Sequence, residues 1–158
     1  MFASARDLFE SAREASRDMA RIRRQLDAME HRASSLGSGG FEPRVRSTHD
    51  PDRMGGAVVT KVDMEERLRE RYDDDRRLVD MATSVLYGDE GGGGLWALVG
   101  WRADAIAQHY LHDLTWAQVG DLLCYSEQHV WREAMAALET CDAWGIDAVM
   151  QGRGRAED

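Results

Sequence analysis

Gln128, His129 and Arg132 are the residues of this chain best suited to read a nucleic acid. A glutamine amide can pair with adenine, and a guanidinium can pair with guanine in the major groove. Thr115 and Ser126 lie close by in sequence and can cap the helices that would carry such side chains. Other chemistry in the same half is weaker. His109, His112, Cys124 and Cys141 are metal-ligand types, but their spacing matches no tetrahedral zinc pattern with paired close ligands. Cysteine with histidine also serves as a nucleophile and its base, yet no strand-turn-helix context supports that use here. The run Gly91–Gly94 has no Lys-Ser/Thr after it and follows no strand, so it is no phosphate loop. The expectation is a protein that is not an enzyme, with no cofactor and no metal.

Base-reading side chains need a helix that can present them. Thr115 and Gln118 form a T-x-x-Q capping box, and Val119, Leu122 and Leu123 supply an apolar helical face. Cys124-Tyr125 makes a short break. Ser126 then caps a second helix through Val130, Ala134, Ala137 and Leu138. Gly120 stands where two such helices approach closely. This spacing reads as a helix-turn-helix, a unit that lays its second helix in the major groove. Two short amphipathic helices joined by a tight turn also serve as plain core structure, and spacing alone leaves both open.

The segment from Leu114 to Arg132 resembles region four of bacterial sigma factors. With the lead-in from Trp101 to Leu114 and the stretch from Val45 to Val62, it is similar to small phage and prophage regulators of the late-gene and autolysin-regulatory activator type. The resemblance implies an all-helical cytoplasmic regulator with a sigma-like C-terminal domain. Three features depart from the pattern. Cys124 replaces the usual turn glycine, where a β-carbon is costly. Glu133 occupies a position that is normally apolar. From Gly91 onward four arginines face ten acids, a net of −6. DNA affinity comes largely from counterions released by Lys and Arg, so a single copy should bind weakly. Dimerisation or docking on RNA polymerase would compensate.

At 158 residues the chain supports one or two small domains, and 43% hydrophobic residues are enough for a core. A mean hydropathy of −0.53 puts that apolar content in helical stripes. The net charge of −9 argues against a nucleic-acid coat or a membrane-surface protein. No run approaches 18 apolar residues, and the first residues lack a signal-peptide core, so a cytoplasmic protein without a membrane partner is expected.

The N-terminal half carries two seams. Ala5, Leu8, Ala12, Ala15, Met19, Ile22, Leu26, Met29, Ala33 and Leu36 alternate three and four apart, a sustained heptad pattern. The helix should stop at Gly37–Gly40, with a loop to about Pro51. A second seam runs Met54, Val58, Val62, Glu65, Leu68, Tyr72, Asp75, Val79, Ala82 and Leu86. Arg21, Arg23 and Arg24 read as a solvated flank, and so does the acidic run Asp73–Asp75.

The reading is therefore all-α. Residues 1–87 form a long antiparallel helical hairpin, a coiled coil expected to form homo-oligomers. Residues 88–94 are a flexible Gly-rich linker, 95–145 a helix-turn-helix domain and 146–158 a tail. Its expected core is Trp96, Leu98, Trp101, Ile106, Tyr110, Leu114, Val119, Leu123, Val130, Leu138 and Trp144. DNA contact is assigned to Thr115, Ser126, Gln128, His129 and Arg132, the last three facing the groove. The leading expectation is a phage-derived transcriptional regulator. The alternatives are a phage packaging protein of the small-terminase type and a protein-interaction module whose helix-turn-helix does not bind DNA.

Overall fold

The computed structural model describes residues 2–38, 51–89 and 92–152, with backbone alone for 36–38 and 51–59. All regular structure among these residues is helical, and no helix is long and apolar enough to cross a membrane. The helices are α1 (Ala5–Ser38), α2 (Pro51–Tyr87), α3 (Leu95–Val99), α4 (Trp101–Ile106), α5 (Trp116–Leu123), α6 (Glu127–Trp144) and α7 (Ile146–Met150). A π-helical turn, Ala107–Leu111, continues α4. The chain divides into two units: Met1–Arg17 with Asp75–Asp158, and Asp18–Asp74.

In the first unit α1 starts with two of its orphan amides satisfied. Asp7 N–H donates to Ser4 Oγ (3.1 Å), and Ala5 N–H donates to Asp142 Oδ1 (2.6 Å) from the far end of α6. Free amides at a helix start favour an acidic acceptor. The fully buried large side chains include Leu8 and Phe9 of α1, Val85 and Leu86 of α2, Leu95 and Ile106. They form one cluster with Tyr110, Ala134, Leu138, Cys141 and Val149. A smaller cluster of Ala105, Val119 and Val130 lies under α5 and α6, flanked by Trp101, Leu114, Trp116 and Leu123.

This core differs from the expected one. Ile106, Tyr110, Val119, Val130 and Leu138 are buried, and Trp101, Leu114 and Leu123 half-buried. Trp96, Leu98 and Trp144 are exposed. Helix α3 has five residues and buries Leu95, while Trp96 turns outward and donates its Nε1–H to Asp104 Oδ2 (3.3 Å). Leu8 and Phe9, from a segment expected in a separate hairpin domain, help fill the interior instead.

The compact unit also runs across the boundary expected at 88–94. Gly94 is buried at φ 82°, and its N–H donates to Val149 O (2.8 Å). A β-carbon there would stand 2.3 Å from Gly88 N, so the backbones touch because the residue is glycine. Gly93 and Gly94 are thus a packed crossing, not a free spacer. Residues 146–150, expected in the tail, form α7 and contribute Val149 to the core.

In the second unit α1 and α2 are joined by polar contacts. Asp18 pairs with Arg71, and Arg23 Nη2 donates to Tyr72 Oη (2.6 Å) while its guanidinium lies 5.8 Å from the ring centre. Ile22 is buried; Met19, Leu26 and Met29 are half-buried. Along the part of α2 in this unit whose side chains are described, the half-buried positions are Lys61, Glu65, Leu68 and Tyr72, whereas Val62 is 50% exposed. Lys61 therefore takes the inner place that hydrophobicity gave to Val62, while Glu65, Leu68 and Tyr72 fall where the seam put them. Met54, Val58 and Leu36 lie outside the described side chains.

Candidate nucleic-acid interface

Helices α5 and α6 pack together across the turn Cys124–Ser126. Both arms of the capping box are present: Gln118 N–H donates to Thr115 Oγ1 (3.2 Å), and Thr115 N–H donates to Gln118 Oε1 (2.9 Å). The helix ends at Cys124, whose φ of 61° and ψ of 38° are left-handed. That conformation lets Tyr125 N–H close on Gly120 O (2.9 Å), satisfying a terminal carbonyl. A β-carbon on Gly120 would lie 2.7 Å from Tyr125 O, which is the close approach that requires glycine. Ser126 then caps α6, its Oγ accepting from His129 N–H (3.3 Å).

Four of the five expected site residues come together. Ser126, Gln128, His129 and Arg132 line an open concavity with Cys124 and Tyr125. Thr115 stands apart, at the start of α5. The hydroxyl oxygens of Thr115 and Ser126 accept helix amides, so their first role is structural. Gln128 and Arg132 are exposed, the Arg132 side chain at 66%. His129 is half-buried beside an aromatic pair: Trp101 and Tyr125 stack at 4.7 Å and 20°, and the His129 ring lies 5.1 Å from Tyr125. Arg132 Nη2 donates to His129 Nδ1 (3.2 Å). Trp101 and Tyr125 were not expected at the site. Their signal in the sequence is weak, because aromatics at helical spacing usually mark packing.

The polar departure on α6 has a partner. Arg102 Nε donates to Glu133 Oε2 (2.6 Å), and this hydrogen bond is the main reason the Glu133 carboxyl titrates below its usual range. The other Glu133 oxygen lies 4.0 Å from Arg132 Nε, so the exposed guanidinium of α6 is also loosely paired with Glu133. Trp131 (46%) and Leu122 (57%) are exposed apolar neighbours.

At the other end of α5 lies a cluster that sequence reading missed. His109 is 7% exposed and stacks on Trp116 at 3.8 Å. Its Nε2 is 3.0 Å from Arg13 Nη1 and its Nδ1 is 2.7 Å from Leu114 O. Arginine only donates and a carbonyl only accepts, so the imidazole is neutral with its proton on Nδ1. Burial, then the Arg13 charge, lowers the His109 pKa. Asp113, in a left-handed turn, accepts from Arg13 Nε (2.7 Å) and Arg17 Nε (2.9 Å). Hydrogen bonds from Arg17, then Arg13, hold its carboxyl down at about 2. Ser16 Oγ–H donates to Leu111 O (2.9 Å). Only the long-range fold brings residues 13–17 to residues 109–113.

Of the metal-ligand types, His109 is committed as described, and Cys141 is buried, its thiol pushed up to about 11 by burial. No three His, Cys, Asp or Glu side chains converge on a metal-sized site among the described residues. Comparisons with family models, with curated proteins and with solved structures find no match for this chain.

Proposed function

We propose that this chain is a DNA-binding transcriptional regulator of phage or prophage origin, acting in the cytoplasm. In this reading α5 and α6 form a sigma-like helix-turn-helix at the end of a long helical hairpin. Gln128, His129 and Arg132 face the major groove, and the protein acts as a homo-oligomer or in contact with RNA polymerase. The observation that carries the reading is the α5–α6 corner. Gly120 allows the close helix approach, Cys124 makes the left-handed stop, and Gln128 and Arg132 are exposed on the first turns of α6.

A second reading is a protein-docking module. It is favoured by the exposed Leu122, Tyr125 and Trp131 around the same corner and by the acidic balance of the C-terminal half. The packaging-protein alternative differs in assembly, requiring a ring of many copies.

Capture of sheared genomic fragments at about 50 and about 200 mM salt, with and without host RNA polymerase, separates these readings. The regulator reading expects enrichment of a few discrete loci, and Arg132→Ala should lower selectivity for them by about tenfold, the discrimination of one bidentate base contact. No enrichment at the lower salt in either arm would leave the protein-docking module.

A further inference from the structure

We propose that Arg17, clamped by Asp113 and backed by Arg13, contacts a DNA backbone phosphate beside the start of α5. The inference rests on the DNA-binding reading and supplies the positive charge that α6 lacks.

The geometry favours a preset donor. Arg17 grips Asp113 with two nitrogens, Nε to Oδ2 (2.9 Å) and Nη2 to Oδ1 (2.7 Å). A guanidinium has five N–H donors, so this fork leaves others for a further acceptor. The Arg17 side chain is 51% exposed. It is thus both anchored and open, and ordering it on a ligand costs little side-chain entropy. Arg13 is more enclosed, at 22%, and already serves Asp113 and His109. Two guanidiniums share one carboxylate, while Glu14 acts on Arg17 only through space. A phosphate oxygen is a suitable further acceptor for an arginine fork.

Location supports the same partner. Asp113 lies two residues before Thr115, the cap of α5. In the helix-turn-helix docking mode the first helix crosses the DNA backbone while the start of the second faces base edges. Phosphate contacts set the register in which base contacts can form. Arg17 would therefore position the domain and Arg132 would select sequence.

The test titrates the full chain against a labelled mixed-sequence DNA duplex from about 50 to about 200 mM salt. Arg17→Ala should bind more weakly, and its log–log salt slope should be shallower by about 1, the loss of one phosphate contact. Arg17→Lys keeps the charge and should keep the slope. An unaltered affinity and slope in a folded Arg17→Ala protein overturns this inference alone. Failure of the unsubstituted chain to bind at the lowest salt overturns the DNA-binding reading as well. If Arg17→Ala unfolds, Arg17→Gln, whose amide can still donate to Asp113, reads the same loss of charge: a slope shallower by about 1 supports the contact, and an unchanged slope overturns it.

Discussion

Helix α5 lies between two non-glycine residues with almost the same positive φ, Asp113 at 58° and Cys124 at 61°. The corners are held in different ways. At Cys124 the restraints come from within a few residues: the Gly120–Tyr125 bond, the Ser126 cap and the missing β-carbon of Gly120. At Asp113 two come from about a hundred residues away, the guanidiniums of Arg13 and Arg17. A left-handed non-glycine residue is disfavoured by about 1–2 kcal/mol, so each corner persists only because its surroundings demand it. One demand is written locally in the chain, and the other exists only once α1 has docked.

The largest test of that contrast removes the docking of α1. Phe9→Ala deletes a fully buried ring that lies 5.9 Å from Tyr110. It should destabilise the first unit by about 3–5 kcal/mol, read as a lower midpoint in urea. Near-equal midpoints for variant and parent would mean that residues 5–17 are peripheral to this unit.

Next is the local corner. Gly120→Ala puts a β-carbon 2.7 Å from a backbone oxygen that cannot swing away. The clash should cost about 2 kcal/mol net, because overpacking of about 3 kcal/mol outweighs the roughly 1 kcal/mol by which alanine favours a helix. Thermal unfolding checks the sign: a more stable variant shows that the α5–α6 approach is looser than described.

Local chemistry was legible. The T-x-x-Q box, the Ser126 cap, the left-handed stop at Cys124 and the need for Gly120 all depend on residues within a turn or two of each other. Non-local facts were not legible. Hydrophobicity placed Trp96, Leu98 and Trp144 inside because it carries no information on which neighbours will compete for the interior; Leu8 and Phe9 are buried there and those three are exposed. The seam of α2 holds from Glu65 to Leu86 and departs at one described position, for a related reason. Lys61 and Glu65 form an ion pair (3.9 Å) and sit half-buried, while Val62 faces water. For the candidate site, Gln128, His129 and Arg132 were readable from type and spacing. The Arg13–His109–Asp113 cluster was not, because its members lie in separate segments.

That cluster makes stability depend on pH. His109 is neutral in the folded chain and its pKa is lowered from 6.5. The unfolded chain therefore binds this proton first as pH falls. The contribution is complete above about pH 6.5 and is lost as pH falls from there through the lowered folded value. The groups facing the ring are Arg13 and Arg17 from α1, Asp113 from the turn, and its neighbour Tyr110. Protonation would set an Nε2–H against the Arg13 N–H. One proton can steepen the loss by at most about 1.4 kcal/mol per pH unit. His109→Gln can still donate to Leu114 O and accept from Arg13, and should flatten the curve between pH 7 and 5.5 (about one unit either side of the free-histidine value). Identical curves for the two proteins would sink the proposed tautomer and its coupling to Arg13.

The smallest effect gives the sharpest comparison, because the same substitution is made at both corners. Glycine relieves a left-handed backbone, and Cys124 is exposed with little side-chain packing to lose. Cys124→Gly should therefore stabilise the chain by up to about 1 kcal/mol, after the greater freedom of glycine in the unfolded state is deducted. Asp113→Gly relieves the same strain but also removes the acceptor shared by Arg13 and Arg17. Half-exposed pairs of this kind contribute about 0.2–1 kcal/mol each, enough to cancel the relief. Thermal melts near neutral pH should show Cys124→Gly above the parent and Asp113→Gly level with it or below. Equal gains at the two corners would mean that the clamp adds nothing to the turn, and that Asp113 holds its left-handed backbone for the same local reasons as Cys124.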